Sequence, residues 1–208
     1  MSVSQSEVAA AMVRVAETLK AAKDDLTTLD QAAGDGDLGI TAAKIAEALT
    51  AYAEGPETDD LGRFIGQAGL AVNKVASSTM GTLAATALMR AGQAVKGKTA
   101  LSDADLAAAL SAAAKGVMDR GKAKLGDKTV LDAFFPAADA FAAAIEAGKP
   151  RGEAAAAMVA AAKEGRDAVT PLQNKIGRAG WVGERTKGAV DPGCALLVAA
   201  AEGLAAKG

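Results

Sequence analysis

Residues 102–121 read SDADLAAALSAAAKGVMDRG, and this stretch decides the fold class. Ser102 is a good helix N-cap, with Asp105 three residues on, where its carboxylate can return the bond. Alanine, the best helix former, fills much of the interior, and Gly121 marks the end. Helical periodicity extends outward in both directions and predicts eight segments. Four precede this one, at about residues 3–29, 39–53, 60–73 and 81–95. EGPETDD (54–60) stops the second and KGK (96–98) the fourth. Beyond Gly126-Asp127 a sixth runs to about residue 147, and a seventh covers about 151–169, closed by Thr170-Pro171. The eighth opens at Asp191-Pro192, an acidic N-cap followed by proline at the first helical position. Alternating β-branched runs with hairpin turns are missing. The chain therefore reads as all-α, one domain over residues 1–208.

Composition narrows the chemistry. Half of the 208 residues are hydrophobic but only 3% are aromatic, so Ala, Leu, Val and Ile must fill the core. A net charge of −2 with mixed signs argues against a nucleic-acid surface. The single cysteine, Cys194, excludes an internal disulfide, fits a reducing compartment and reads as a small buried residue. No apolar run reaches the roughly 18 residues of a membrane helix, and the N-terminus lacks a signal-peptide layout. A cytoplasmic protein without a membrane partner is expected. There is no histidine, which removes Ser-His-Asp triads, His-ligated zinc and phosphohistidine relays from this chain.

Glycines and polar residues gather in four connections, at 30–39, 76–82, 121–129 and 177–193. They follow the first, third, fifth and seventh helices. In an up-and-down bundle every second connection lies at the same end, so these four are expected to converge on one site.

Each connection has a functional and a plain reading. DQAAGDGDLG (30–39) can bring Asp30, Asp35 and Asp37 together as hard oxygen ligands for Mg²⁺ or Ca²⁺. Alternatively it is a Gly-Asp turn with an aspartate cap. An EF-hand is a poor match, because the twelfth position from Asp30 is Thr41 rather than glutamate. ASSTMGT (76–82) offers hydroxyls at a helix start, suited to phosphate or simply to capping. RGKAKLGDKTVLDA (120–133) is either a helix–helix turn with solvated lysines or part of a nucleotide pocket, with Val130 or Leu131 against a base. GRAGWVGERTKGAVDPG (177–193) carries Arg178, Arg185 and Lys187 beside the only tryptophan, Trp181, which is a lid anchor or a packing plug. Acids for Mg²⁺, hydroxyls and a helix start for phosphate, and arginines for charge are the parts that phosphoryl transfer needs.

GDGDLG, GDKTVLDAFFPA and GRAGWVGERTKGAVDPG, in this order, resemble the L-subunit family of dihydroxyacetone kinases, over nearly the whole chain. The resemblance implies a closed barrel of eight antiparallel helices with a nucleotide, ADP or ATP, and two Mg²⁺ ions at one end. It implies that Asp30, Asp35 and Asp37 hold the metal ions. Leu38, Gly39, Ile40 and Thr41 would run along the phosphates, and Ser78 and Thr79 would contact phosphate. Gly121 and Val130 would form part of the base and ribose pocket. Arg178 would neutralise phosphate charge, and Asp191, Pro192 and Gly193 would close over the nucleotide. In this family a separate K-type subunit holds the ketose on a histidine, so a histidine-free chain should be half of a kinase. The acceptor would be dihydroxyacetone or a related ketose such as erythrulose, and a phosphotransferase-system protein can act as donor.

Two departures touch the phosphate end. The family often reads GDGDHG where this chain has Leu38, and SGPLYG-like where it has SSTMGT (77–82). Both favour exchangeable ATP over a retained ADP, because a weaker phosphate grip suits release. Rival readings are a non-catalytic nucleotide-binding regulator acting through a partner, a fatty-acid-kinase-like nucleotide domain, and a purely structural bundle.

Overall fold

The computed structural model describes residues 2–55 and 57–206. Pro56, in the helix-stopping stretch 54–60, lies outside the described residues. Ten α-helices occur among them: α1 (Gln5–Ala21), α2 (Lys23–Ala33), α3 (Leu38–Ala53), α4 (Leu61–Val75), α5 (Thr79–Ala94), α6 (Asp103–Gly121), α7 (Leu131–Glu146), α8 (Arg151–Val169), α9 (Gly177–Val182) and α10 (Pro192–Ala205). An isolated antiparallel bridge joins Val3 to Leu101.

The helices close into a ring. Both α1 and α2 pack on α3; α3 to α8 then pack in chain order; α8 packs on α10, and α10 returns to α1. The all-α barrel expected from the sequence is thus present, with α1 and α2 sharing one of its eight positions and α9 lying in the last connection. Small residues set the spacing. A Cβ on Gly62 of α4 would lie 2.5 Å from the Gly92 carbonyl oxygen of α5, and one on Gly203 of α10 would lie 2.6 Å from Val15 Cα of α1. Phe64, Leu19, Leu26, Leu61, Leu101 and Leu131 supply the large, fully buried side chains. No helix among the described residues is long and apolar enough to cross a membrane.

Cap chemistry places the starts. Ser102 Oγ accepts the Asp105 N–H at 3.2 Å, and the Asp105 carboxylate accepts the Ser102 N–H at 2.9 Å. Ser4 and Glu7 repeat this box at α1. Asp191 caps α10 ahead of Pro192, as the sequence indicates.

Three expected boundaries are corrected. The first helix, read as 3–29, begins at Gln5 and breaks at Ala22, whose ψ of −2° departs from the helical value although its N–H still meets the Thr18 carbonyl at 3.0 Å. Neither glycine nor proline marks that break, so periodicity reads straight through it. The sixth helix starts at Leu131 rather than just after Asp127, because the Asp132 carboxylate takes the N–H groups of Gly126 and Thr129 at 2.5 and 2.8 Å and folds 126–129 into a turn. Residues 177–193 are not a plain loop; they hold α9 and a 3-10 turn, Gly183–Thr186. Inside α7, Pro136 has no N–H to offer the Asp132 carbonyl, and α8 closes on that carbonyl at Gly165, where a Cβ would collide with it.

Candidate active site

The four connections converge at one end of the barrel around an open pocket of about 610 Å³. That volume is typical of a small-molecule site. The convergence expected from helix alternation holds, because the split first helix still occupies a single position in the ring.

One wall is acidic. Asp30 lies in the last turn of α2, and Asp35 and Asp37 lie in the turn that follows. Carboxylate oxygens of all three come within 4.8 Å of one another. Gly36, at φ 78°, gives the turn a backbone conformation that other residues resist. Asp30 Oδ2 accepts the Leu38 N–H at 3.1 Å, which ties the turn to the start of α3. The Arg178 guanidinium forms an ion pair with Asp35, the one counter-charge found on the cluster among the described residues. Three clustered carboxylates with spare oxygens suit a hard divalent cation.

The adjoining wall is a helix start. Ser78 caps α5, accepting the Gly81 N–H at 3.1 Å, and its hydroxyl lies 3.0 Å from Thr41 Oγ1. Thr79 opens the first turn and lines the pocket. Ser77 to Met80 line the cavity, so the positive end of the α5 dipole lies at this wall, a setting that favours phosphate.

The floor is a buried polar network. Six polar or charged residues are buried among those described: Thr41, Lys128, Asp132, Asn174, Thr186 and Asp191. All stand at this end. Lys128 Nζ donates to the carbonyls of Thr170, Leu172 and Thr186 at 2.9, 2.9 and 2.6 Å. Asn174 Nδ2 donates to the Lys128 carbonyl at 2.6 Å and to Asp191 Oδ2 at 2.8 Å. Asp191 Oδ1 accepts the Cys194 N–H at 2.8 Å. Burial pushes the Asp191 carboxyl up against the pull of these bonds, and pushes the Lys128 ammonium down. The Cys194 thiol is also pushed up by burial, and donates to the Thr129 carbonyl at 3.0 Å.

Of the residues singled out in the sequence, Asp30, Asp35, Asp37, Leu38, Ile40, Thr41, Ser78, Thr79, Gly121, Val130, Arg178, Asp191, Pro192 and Gly193 line this pocket. Gly39 does not: it packs against α2 at Thr27 and the Lys23 carbonyl, where it permits close approach. Leu38 points its side chain into the core, 5% exposed, so it offers no polar contact. Arg185 and Lys187 are exposed and off the pocket. Trp181 is 93% exposed, so it is no packing plug. Lys122 and Lys124 are exposed as solvated lysines would be, whereas Lys128 is fully buried. Asn174, Asp132 and Thr186 were not expected. Asp132 and Thr186 lie within the GDKTVLD and GERT stretches quoted above; Asn174 carries no local signal.

The family model of the DAK2 domain matches residues 32–206, and the chain belongs to that family. It is 28% identical over 202 residues to the ADP-binding subunit DhaL of the PEP-dependent dihydroxyacetone kinase of Escherichia coli, covering 95% of this chain and 94% of that protein. It is 33% identical over 179 residues to the ADP-binding subunit DhaL of PEP-dependent dihydroxyacetone kinase 2 of Listeria innocua, covering 82% and 80%. It is 32% identical over 192 residues to the L-erythrulose kinase of Pectobacterium atrosepticum, covering 88% of this chain but 32% of that one. Among solved structures, the dihydroxyacetone kinase of C. freundii in its native form superposes with a TM-score of 0.74 at 26% identity, over 95% of this chain. The same enzyme in complex with AMP-PNP and Mg²⁺ gives 0.73 at 24% identity, over 95% of this chain and 33% of that one. The chain spans about a third of that kinase's length, 34% for the native form.

Proposed function

We propose that this chain, as one cytoplasmic domain, is the nucleotide-binding subunit of a ketose kinase and is active only with a separate K-type subunit that holds the ketose. One observation carries the reading: three carboxylates within 4.8 Å of one another share a single pocket with a capped helix start. Acids and a helix start in one pocket form a mixed site that suits a Mg²⁺–nucleotide, not a lone cation or a lone anion. The names of the relatives, dihydroxyacetone kinase subunits and an erythrulose kinase, support the acceptor class.

Asp30, Asp35 and Asp37 would hold two Mg²⁺ ions, which when bound supply charge neutralisation for the transferring phosphoryl group. Ser78 and Thr79 offer hydroxyl and amide donors to phosphate oxygens. Arg178 offers a guanidinium to the charge that builds up on them. Val130, Gly121 and the Asp191–Gly193 turn form the apolar and backbone surface for base and ribose. No histidine exists in this chain to bind a ketose covalently, which supports the division of labour between two subunits.

The donor follows from the relatives more than from the departures in sequence. The two relatives matched along most of their length are PEP-dependent and ADP-binding. They support a retained ADP recharged by a separate phosphotransferase protein, over the exchangeable ATP that Leu38 and SSTMGT favour. Titration calorimetry of nucleotide-stripped protein tests the whole reading. Mg²⁺-dependent binding of ADP is expected, with Asp35→Ala losing it. No binding of either nucleotide with Mg²⁺ present would refute the reading, and ATP binding well above ADP would restore the exchange mode.

A further inference from the structure

The connection from α8 to α10 carries Arg178 on the short helix α9, and its two ends are held by one side chain. Lys128 is 1% exposed, and its three ammonium hydrogens meet three backbone carbonyls, those of Thr170, Leu172 and Thr186. Two of these acceptors precede α9 and one follows it. The main chain of the same turn adds further ties: the Lys128 carbonyl accepts from Asn174 Nδ2, and the Asp127 carbonyl accepts the Lys175 N–H at 3.0 Å. Across the neck of the connection, the Asn174 N–H donates to Thr186 Oγ1 at 3.1 Å and the Gly188 N–H to the Thr170 carbonyl at 3.0 Å. What hangs beyond these pins is α9, with Arg178 meeting Asp35 across the pocket.

Lys128 bears two costs at once. Its ammonium is stripped of water without a carboxylate in contact, and its backbone sits in the left-handed region at φ 58°. Backbone in such a region persists where the surroundings over-determine it, and it clusters at functional sites. An apolar residue would fill the same space without burying a charge, but it could not gather three carbonyls from both ends of one connection.

We propose that Lys128 is a positioning residue, clamping both ends of the 170–186 connection onto the 126–129 turn and thereby fixing where Arg178 stands over the pocket. The proposal rests on the nucleotide-site reading for its consequence, and on the hydrogen-bond geometry for the clamp itself.

The test is a double-variant cycle with Lys128→Met, Arg178→Met and the combined protein, read by calorimetric titration with Mg-ADP and by hydrogen exchange. Lys128→Met should weaken Mg-ADP binding by roughly tenfold or more, as should Arg178→Met. The combined variant should bind no more weakly than the weaker single one, because Lys128 acts through Arg178. Amides of 174–188 should exchange faster in Lys128→Met while those of α4 and α5 keep their rates. Losses that add in the combined variant, or unchanged exchange at 174–188, would overturn the proposal. Where Lys128→Met does not fold, Asn174→Ala cuts a neighbouring tie and must give the same non-additive pattern at smaller size, or the proposal fails. A wild-type protein without nucleotide affinity would remove the nucleotide reading, and exchange at 174–188 would still decide the clamp.

Discussion

Thr41 Oγ1 lies 3.0 Å from Ser78 Oγ, although 37 positions separate them. This bond joins the first turn of α3 to the N-cap of α5, the two helix starts that border the pocket next to the carboxylates. Ser78 therefore has two partners already, Thr41 and the Gly81 N–H. A hydroxyl still has lone-pair and donor capacity to share, so the pair can present one rigid edge to a ligand.

Ser78→Ala should lower stability by about 1 kcal/mol, the usual cost of losing a serine cap. Thr41→Val keeps the cap and removes the cross-helix bond, so it should cost less than Ser78→Ala. Urea unfolding of the two variants checks the order. Ser78→Ala gives up both bonds, so a larger loss in Thr41→Val would mean that Thr41 supports the fold through more than its bond to Ser78.

Gly62 and Gly66 stand four residues apart on α4 and should respond to alanine with opposite sign. Helix propensity alone favours alanine at both by about 1 kcal/mol. At Gly66 an added Cβ would touch nothing within 4 Å, so Gly66→Ala should be neutral or stabilising. At Gly62 the Cβ would lie 2.5 Å from the Gly92 carbonyl, so Gly62→Ala should destabilise by about 1–3 kcal/mol. Matching shifts in the two unfolding midpoints would contradict the close approach of α4 and α5.

These glycines also show what sequence can and cannot carry. The seven later segments of the barrel follow from start and stop signals that are local, such as Ser102 with Asp105, Thr170-Pro171 and Asp191-Pro192. The clustering of Asp30, Asp35 and Asp37 is local too, because a short glycine-rich turn can hardly keep them apart. The break at Ala22 left no trace, since its φ and ψ, not its residue type, end the helix. The burial of Lys128 was invisible for a different reason. Its three acceptors are main-chain carbonyls up to 58 positions away, and a carbonyl has no sequence signature. Asn174 binds Lys128 and Asp191 from 46 and 17 positions away. Pocket walls built from one connection could be read; the floor, built from contacts between connections, could not.

Acid should unfold the barrel partly through Asp105. Its carboxylate accepts from Lys98 and from the Ser102 amide and hydroxyl, which hold its pKa at about 2 against an ordinary 3.8. The folded value is depressed, so between 3.8 and about 2 the unfolded chain binds more protons. Stability from this group is full above that window and is lost as pH falls through it. Asp191 works in the opposite sense, because burial raises its folded value. Its contribution is full at low pH and declines as pH rises through the carboxylate range. Asp105→Asn should therefore lose less stability than wild type as pH falls through the Asp105 window, measured by urea midpoints at each pH. Parallel pH profiles in the two proteins would assign the acid limb elsewhere.

Asp30 and Asp37 should separate binding from stability. Both carboxylates belong to the proposed Mg²⁺ site, so alanine at either should remove Mg²⁺-dependent nucleotide binding. Their structural jobs differ. Asp30 Oδ2 accepts the Leu38 N–H, acting as a cap for α3 from outside that helix. Asp37 is the N-cap residue by position, yet its side chain makes no capping bond. Asp30→Ala gives up that bond and should cost about 1 kcal/mol. Asp37→Ala gives up nothing and relieves repulsion from two neighbouring carboxylates, so stability should hold or rise by about 0.3 kcal/mol. Unfolding is measured with a chelator present, so that bound metal does not mask the repulsion, and binding is measured separately by calorimetry. Equal destabilisation by both variants would mean that the cluster is held by its surroundings rather than by the Asp30–Leu38 bond, whereas retained binding in either would remove that carboxylate from the metal set.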